Sequence, residues 1–424
     1  MLIEFKIKNY KCFKDEQTLS MVATSDEAHP ELIIKTGIKA VPRLLKIAAI
    51  YGANGSGKTK ILEALHNFRM LVAFSVERRD LLPRIIPFVF DTTSKSEPTF
   101  FEITFIQNGI RYQYGVTATQ ERVVKEWLLG WPKGREVIYF QRSWLIDEQR
   151  YEYYFGPKFL GGTRHLIDNT REDSLILSVG EKFNHPLLKE VCSWFITNLE
   201  GYSTNSIPLE VVREKLKDIK TKENVIKFMS DAGIPIDDYE LIERRFQEDQ
   251  DLPTELRDAL SNLPGIKDQI NVNVIFFRKF PDGGKFGLPI EEESEGTSRI
   301  FSISAPLLFR LSIGGVIYFD ELDASFHPLL SRAIVELFGN LSENCRNSQL
   351  IFNTHDTTLL DQDLLRRDQI WLIEKDNFAS SHIYCLSDFS PRKGEALAKG
   401  YLQGRYGAIP YLTDFFKQWP SGDC

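Results

Sequence analysis

The chain has 424 residues, 42% of them hydrophobic and 26% charged, with a net charge of −7. That length calls for about two or three structural units, and the composition excludes a disordered chain. The acidic balance argues against a general coat on nucleic acid, which is usually basic, and leaves only a local basic patch as a route to DNA or RNA.

Residues 2–8, LIEFKIK, alternate apolar and polar and predict a strand. PRLLKIAAIYG predicts a buried strand running into a glycine loop, and SGKTKILEALHNFRMLVAF has helical apolar spacing at Ile61, Leu62, Leu65 and Phe68. TFFEITFIQNGIRYQYGVTA predicts two strands joined at Asn108-Gly109, a strong hairpin signal. RVVKEWLLGW and EVIYFQRSWL continue that antiparallel pattern. From about 184 to 270 the chain reads as mostly helical, interrupted by Pro235, Pro253 and Pro264, with no unbroken heptads for a coiled coil. NVNVIFF, GVIYFDELD, QLIFNTHD and QIWLIEK then predict strands, with helices expected over 297–311, 327–340 and about 357–365. This last part reads as a parallel α/β half.

Cys12, Cys192, Cys345, Cys385 and Cys424 are scattered, odd in number and without C-x-x-C spacing, the pattern of free thiols in a reducing compartment. The N-terminus is charged and alternating, unlike a secretory leader, and no apolar run approaches the roughly 18 residues a membrane span needs. A cytoplasmic protein with no membrane contact is the expectation.

Four motifs carry chemistry. Gly52 to Thr59 is a G-x-x-x-x-G-K-[ST] loop between a strand and a helix. Its backbone N–H groups can cradle phosphates, Lys58 can reach the β/γ-phosphates, and Thr59 can ligate Mg²⁺. Asp320 and Glu321 end the apolar strand of GGVIYFDELD. An Asp there can hold the Mg²⁺, and the adjacent Glu can orient or deprotonate an attacking water. Ser294 and Gly296 open a helix in ESEGTSRIF, where free N–H groups form an anion-binding end, although an ordinary N-cap reads the same way. His355 follows the strand of LIFNTHD and can hydrogen-bond a γ-phosphate. Most of the chain separates Lys58 from Asp320, unlike the compact order of a small kinase or GTPase.

The ordered set resembles the ABC-type ATPase head of SMC, RecF and OLD-family proteins. SEGTSRIF, FDELDASFHPLL, IFNTHDTTLLD and LSDFSPRK…YLQGRYGAIP, with YGANGSGKTKILEAL, are similar to the stand-alone AAA ATP-binding proteins of bacterial phage-defence loci, RloA-like and, more loosely, PARIS-type. The resemblance touches most of the chain outside 200–285. It implies an α/β fold: an ABC-type P-loop ATPase head with a mixed or antiparallel lobe, a parallel α/β core and a mainly helical insertion. The corresponding divisions are 1–195, 196–285 and 286–424. It implies ATP with Mg²⁺ as ligands and ATP hydrolysis as the activity. Gly52, Asn54, Gly55, Ser56, Gly57, Lys58 and Thr59 would hold the phosphates, with Thr59 and Asp320 on the metal. Glu321 and His355 would be catalytic. Ser294 and Gly296 would be the signature and Asp323 the D-loop residue, both facing nucleotide held by a second copy of the chain. The expected partners are that second copy, in an ATP-dependent head dimer, and an effector from a neighbouring gene.

The chain departs from the pattern in its Q-loop, for which Gln107, Gln113 and Lys182 are all poor candidates. Arg405 in YLQGRYGAIP reads equally as a residue near the nucleotide and as part of a packed turn. Two other functions stay open: a RecF-like DNA-repair ATPase, and a nuclease or toxin using Asp237, Asp238 and Glu240. No E…D-x-D set follows His355 to supply a nuclease domain.

Overall fold

The computed structural model describes residues 1–203, 207–245 and 270–410. A seven-stranded antiparallel sheet is built from β1 (Leu2–Lys8), β2 (Gln17–Ser20), β6 (Thr99–Gln107), β7 (Ile110–Ala118), β8 (Val123–Gly130), β9 (Val137–Leu145) and β10 (Arg150–Phe155). Its order is β10-β9-β8-β7-β6-β1-β2. The hairpin expected at Asn108-Gly109 joins β6 to β7 with Gln107 opposite Ile110. Both turn residues take positive φ, 49° and 76°, the combination a two-residue turn of matching twist requires.

A second sheet of six strands lies at the centre. It contains β5 (Ile47–Gly52), β11 (Leu199–Ser203), β15 (Val316–Asp320), β16 (Gln349–Asn353), β17 (Ile370–Lys375) and β18 (Ser381–Cys385). The order is β11-β15-β16-β5-β17-β18, parallel except for β18. Its inner strands β5, β15 and β16 are largely apolar because both faces are covered. Ala48 and Ile50 enter one core with Val316, Tyr318 and Ile351. Ile47, Ala49 and Tyr51 enter the other with Ile317, Phe319 and Phe352. Helix α1 (Lys58–Phe74) fills the first core, between the two sheets. There Phe68 stacks on Phe101 at 5.3 Å and on Tyr114 at 5.8 Å. Three short helices, α2 (Thr163–Asn169), α3 (Ile176–Lys182) and α4 (Pro186–Ser193), close that side.

Residues expected to be mainly helical are mixed instead. Helices α5 (Leu209–Lys217) and α6 (Ile219–Asp231) are followed by β12 (Asp238–Arg245). β12 pairs with β13 (Ile270–Lys279), which pairs with β14 (Lys285–Pro289) in a three-stranded antiparallel sheet. β12 looks like a charged helix surface by composition, but Tyr239 and Leu241 fall on one face at strand period, and the Tyr239 ring seats edge-on against Phe301. Pro253 and Pro264 lie outside the described residues. Helices α7 (Glu295–Ile313) and α8 (Pro328–Gly339) cover the other face of the central sheet. The helix expected over 357–365 is a single 3₁₀ turn, Thr357–Leu359, capped by Asp356. A short α9 (Leu397–Leu402) follows near the end of the described chain.

The buried strand expected over PRLLKIAAIYG is two strands in different sheets. β4 (Val41–Leu45) pairs with β3 (Ile33–Ile38) in a small antiparallel ribbon, and the chain crosses into the central sheet at Lys46. Lys46 is fully buried, its main-chain N–H bonded to Leu32 and its carbonyl to Leu350.

Candidate functional site

The phosphate loop leaves β5 at its C-terminal end and turns into α1, with Asn54 and Gly55 exposed at its tip. Three glycines make the path possible. A Cβ at Gly52 would lie 2.3 Å from the Ile373 carbonyl oxygen, and one at Gly57 2.9 Å from Cys12 Sγ. Gly55 and Gly57 take φ of 75° and 115°. The first N–H groups of α1 therefore start from a left-handed glycine and have no side-chain cap, which leaves them for an anion.

Lys58 Nζ folds back over the loop and donates to the carbonyls of Gly52 at 2.8 Å and Ala53 at 3.1 Å. Burial pushes its pKa down to about 8, against the opposing charges of Glu321, Asp323 and Asp320. The buried Ser56 hydroxyl has no partner, while the Ser56 carbonyl accepts from Ser381 Oγ at 2.6 Å.

The acidic residues arrive from the neighbouring strands. Asp320 ends β15, and Glu321 follows it with φ of 58°. Asn353, buried at the end of β16, holds both: its Nδ2 donates to Asp320 Oδ1 at 2.5 Å, and its Oδ1 accepts from the Glu321 main-chain N–H. Asp323 Oδ2 accepts the His355 main-chain N–H at 3.2 Å, and its buried Oδ1 has no partner. His355 is exposed; burial of part of the ring and then the Lys58 charge hold its pKa below the usual imidazole value.

Thr59 and Asp320 line one cleft of about 250 Å³ with Glu63, His66, Ser203 and Tyr318. A hydroxyl and a carboxylate converging beside a phosphate loop suit Mg²⁺, which favours hard oxygen ligands and takes the rest from phosphate and water. Among the described residues no cluster of His, Cys, Asp or Glu is placed to hold a metal by side chains alone.

Lys58, Glu321, His355, Ser294 and Gly296 are not among the residues that line this cleft. Ser294 is the N-cap of α7, accepting from the Thr297 N–H at 3.2 Å. Gly296 lies against the loop after Asp323, where a Cβ would come within 3.3 Å of the Ser325 carbonyl oxygen. Arg299 ties the two together by donating to Ser325 Oγ at 2.7 Å and Glu295 at 2.7 Å.

Other candidates sit elsewhere. Gln107 accepts from Asn198 at 3.0 Å, Gln113 is on β7, and Lys182 pairs with Glu77. Asp238 is paired with Lys222 at 2.6 Å and Lys285 at 3.3 Å, and Asp237 accepts the Lys279 N–H at 2.7 Å. Arg405 pairs with Glu395 at 2.5 Å. Asn353 is the residue that sequence reasoning missed. Its signal is a polar side chain closing the apolar run LIF of β16.

A family profile described as "AAA domain, putative AbiEii toxin, Type IV TA system" matches residues 47–361, from the first residue of β5 past His355. The chain belongs to this AAA family. The fold is α/β, an antiparallel sheet joined to a mainly parallel core that carries the phosphate loop. No curated protein matches the chain. Among solved structures it is similar to the SMC head domain from Thermotoga maritima, at 12% identity and a TM-score of 0.39 over 91% of this chain and 98% of that one. An Smc head bound to the C-winged-helix domain of ScpA gives 12%, 0.42, 91% and 97%. The Pyrococcus furiosus Smc head with an extended coiled coil, bound to the C-terminal domain of ScpA, gives 13%, 0.42, 95% and 99%.

Proposed function

We propose that this AAA-family chain hydrolyses ATP between two copies of itself, and that closing and opening of the pair controls an effector protein in antiphage defence. The observation that carries the reading is the convergence of the phosphate loop with the acidic pair and His355. Lys58, Thr59, Asp320, Glu321 and His355 gather at the C-terminal ends of β5, β15 and β16. The SEGT helix start is joined to the loop after Asp323, through Arg299 on Ser325 and the close approach of Gly296 to the Ser325 carbonyl. A second copy would bring Ser294 and Gly296 to the phosphate held by the first.

In that arrangement Lys58 exchanges its two carbonyl partners for phosphate oxygens, and the N–H groups of Gly55 to Lys58 wrap the β-phosphate. Thr59 and Asp320 would hold Mg²⁺, whose chemistry is to neutralise phosphate charge. Glu321 orients and deprotonates the attacking water, with its main chain fixed by Asn353. His355 reports the γ-phosphate to the loop that carries Asp323. The family description, which names a toxin of a toxin–antitoxin system, supports an effector-linked role in defence. Among the described residues no helix is long and apolar enough to cross a membrane, and the four described cysteines are free. Both features suit a protein working in the cytoplasm.

Glu321→Gln tests the reading. Turnover should fall about a hundredfold, as for loss of a positioned general base, while ATP-bound dimers accumulate in gel filtration. Pull-down of the trapped form from its native host should recover a second gene product. Turnover at the wild-type rate sinks the assignment of Glu321, and recovery of the bait alone with DNA sinks the effector reading.

A further inference from the structure

The segment YLQGRYGAIP, residues 401–410, is built against the root of the phosphate loop. Tyr401, on α9, sets its ring edge-on to Tyr51, 5.9 Å between centroids. Tyr51 immediately precedes Gly52, and its hydroxyl donates to the Asp356 carbonyl at 3.1 Å, one residue past His355. The Tyr401 hydroxyl donates to the Ala408 carbonyl at 3.0 Å. Burial raises the pKa of this hydroxyl, and the main-chain N–H of Gly52, facing it, opposes the rise.

The turn that brings the chain back to Tyr401 is tightly specified. Gly404 and Gly407 have φ of 76° and 70°, and Ala408 takes 58°, a left-handed conformation that costs a residue with a Cβ. A Cβ at Gly400 would meet the Tyr406 hydroxyl at 2.8 Å, and one at Gly407 would meet Glu374 Oε2 and the Tyr384 hydroxyl at 2.6 Å. Ala408 N–H donates to Glu374 Oε2 at 3.2 Å, and the Tyr384 hydroxyl donates to the Tyr406 carbonyl at 3.0 Å. Glu374 lies on β17, the strand beside β5. The segment is thus pinned on β17 and on β18 and reaches the loop root through one tyrosine.

We propose that residues 395–409 form a brace that holds the root of the phosphate loop and the His355 loop in one register, with Tyr401 as its positioning residue. This inference rests on the ATPase reading above. Ordering a glycine loop on binding costs conformational entropy, so a root held beforehand leaves more of the phosphate contacts to appear as affinity. Arg405 fastens the outside of the turn through its pair with Glu395.

Tyr401→Phe in the full chain keeps the ring on Tyr51 and removes the hydroxyl. Titration with a fluorescent ATP analogue should give a Kd about five- to tenfold weaker, the effect of losing one buried hydrogen-bonding group. The KM for ATP should rise in step while kcat holds and Tm falls by no more than the few degrees that one lost hydrogen bond costs. An unchanged Kd overturns the brace. A weaker Kd that comes with a fall in Tm of about 5 °C or more also overturns it, because the hydroxyl would then be a plain core contact. Wild type and Lys58→Ala are measured alongside. Wild type that binds no ATP overturns the ATPase reading itself, whereas binding by wild type with Tyr401→Phe indistinguishable from it overturns the brace alone.

Discussion

Asn353 shows how much a single side chain organises here. Its amide reaches across from β16 to the end of β15, donating to one acidic residue and accepting from the main chain of the next. It fixes Glu321 in a left-handed conformation, φ 58°, that a glutamate adopts at a cost. Asn353→Ala should therefore release both Asp320 and Glu321. ATPase turnover is expected to fall at least about tenfold, the scale of losing an orienting partner if Asp320 holds the metal as proposed, with nucleotide still bound through the phosphate loop. Steady-state turnover and a nucleotide titration on the same preparation check this, and turnover equal to wild type would remove Asn353 from the site. The residue could not be picked out by spacing, because one polar group at a strand end is common, and what makes it matter is the neighbour that β15 places beside it.

At the scale of elements, several helices and strands depend on partners distant in the chain. Helix α3 has Leu175 at its N-cap position and no side-chain cap of its own. Glu126, from β8, supplies the missing acceptor, taking the N–H groups of Ile176 at 2.9 Å and Leu177 at 3.0 Å and the Tyr114 hydroxyl at 2.9 Å. Arg142 lies 3.7 Å from the same carboxylate, both side chains being fully buried, and donates to the carbonyls of Ser174 and Arg171. Burial raises the Glu126 pKa and Arg142 works against it. Glu126→Ala leaves a buried guanidinium without its countercharge, a loss of about 3–5 kcal/mol. Thermal unfolding should shift down by several degrees, whereas an unchanged Tm would mean that water reaches Arg142. The same dependence explains two misreadings. The strand expected over PRLLKIAAIYG splits at Lys46 because β4 and β5 have different partners. β12 is a strand because β13 pairs with it, which its charged composition did not announce.

For the whole molecule, the decisive prediction concerns the proposed pairing of two chains. Lys58→Ala removes the phosphate lysine from one half of the site, and Ser294→Arg spoils the other half. Each variant alone should be inactive. Mixed in equal amounts, half of the dimers formed at random would carry both variants and contain one intact site of two, so roughly a quarter of wild-type activity should return. A mixture no more active than either variant would overturn the composite site. The sequence by itself determined the phosphate loop, its strand and helix, the hairpin at Asn108-Gly109 and the apolar runs of the central strands. Each of these follows from local chemistry: glycines that accept positive φ, and apolar periods that match one element. Tertiary structure alone decided that Asn353 would hold Asp320 and Glu321, that Glu126 would cap α3, and that the C-terminal tyrosine would rest on Tyr51. Those contacts join residues from separate stretches of the chain, and which of them meet is set by the order in which the strands pair.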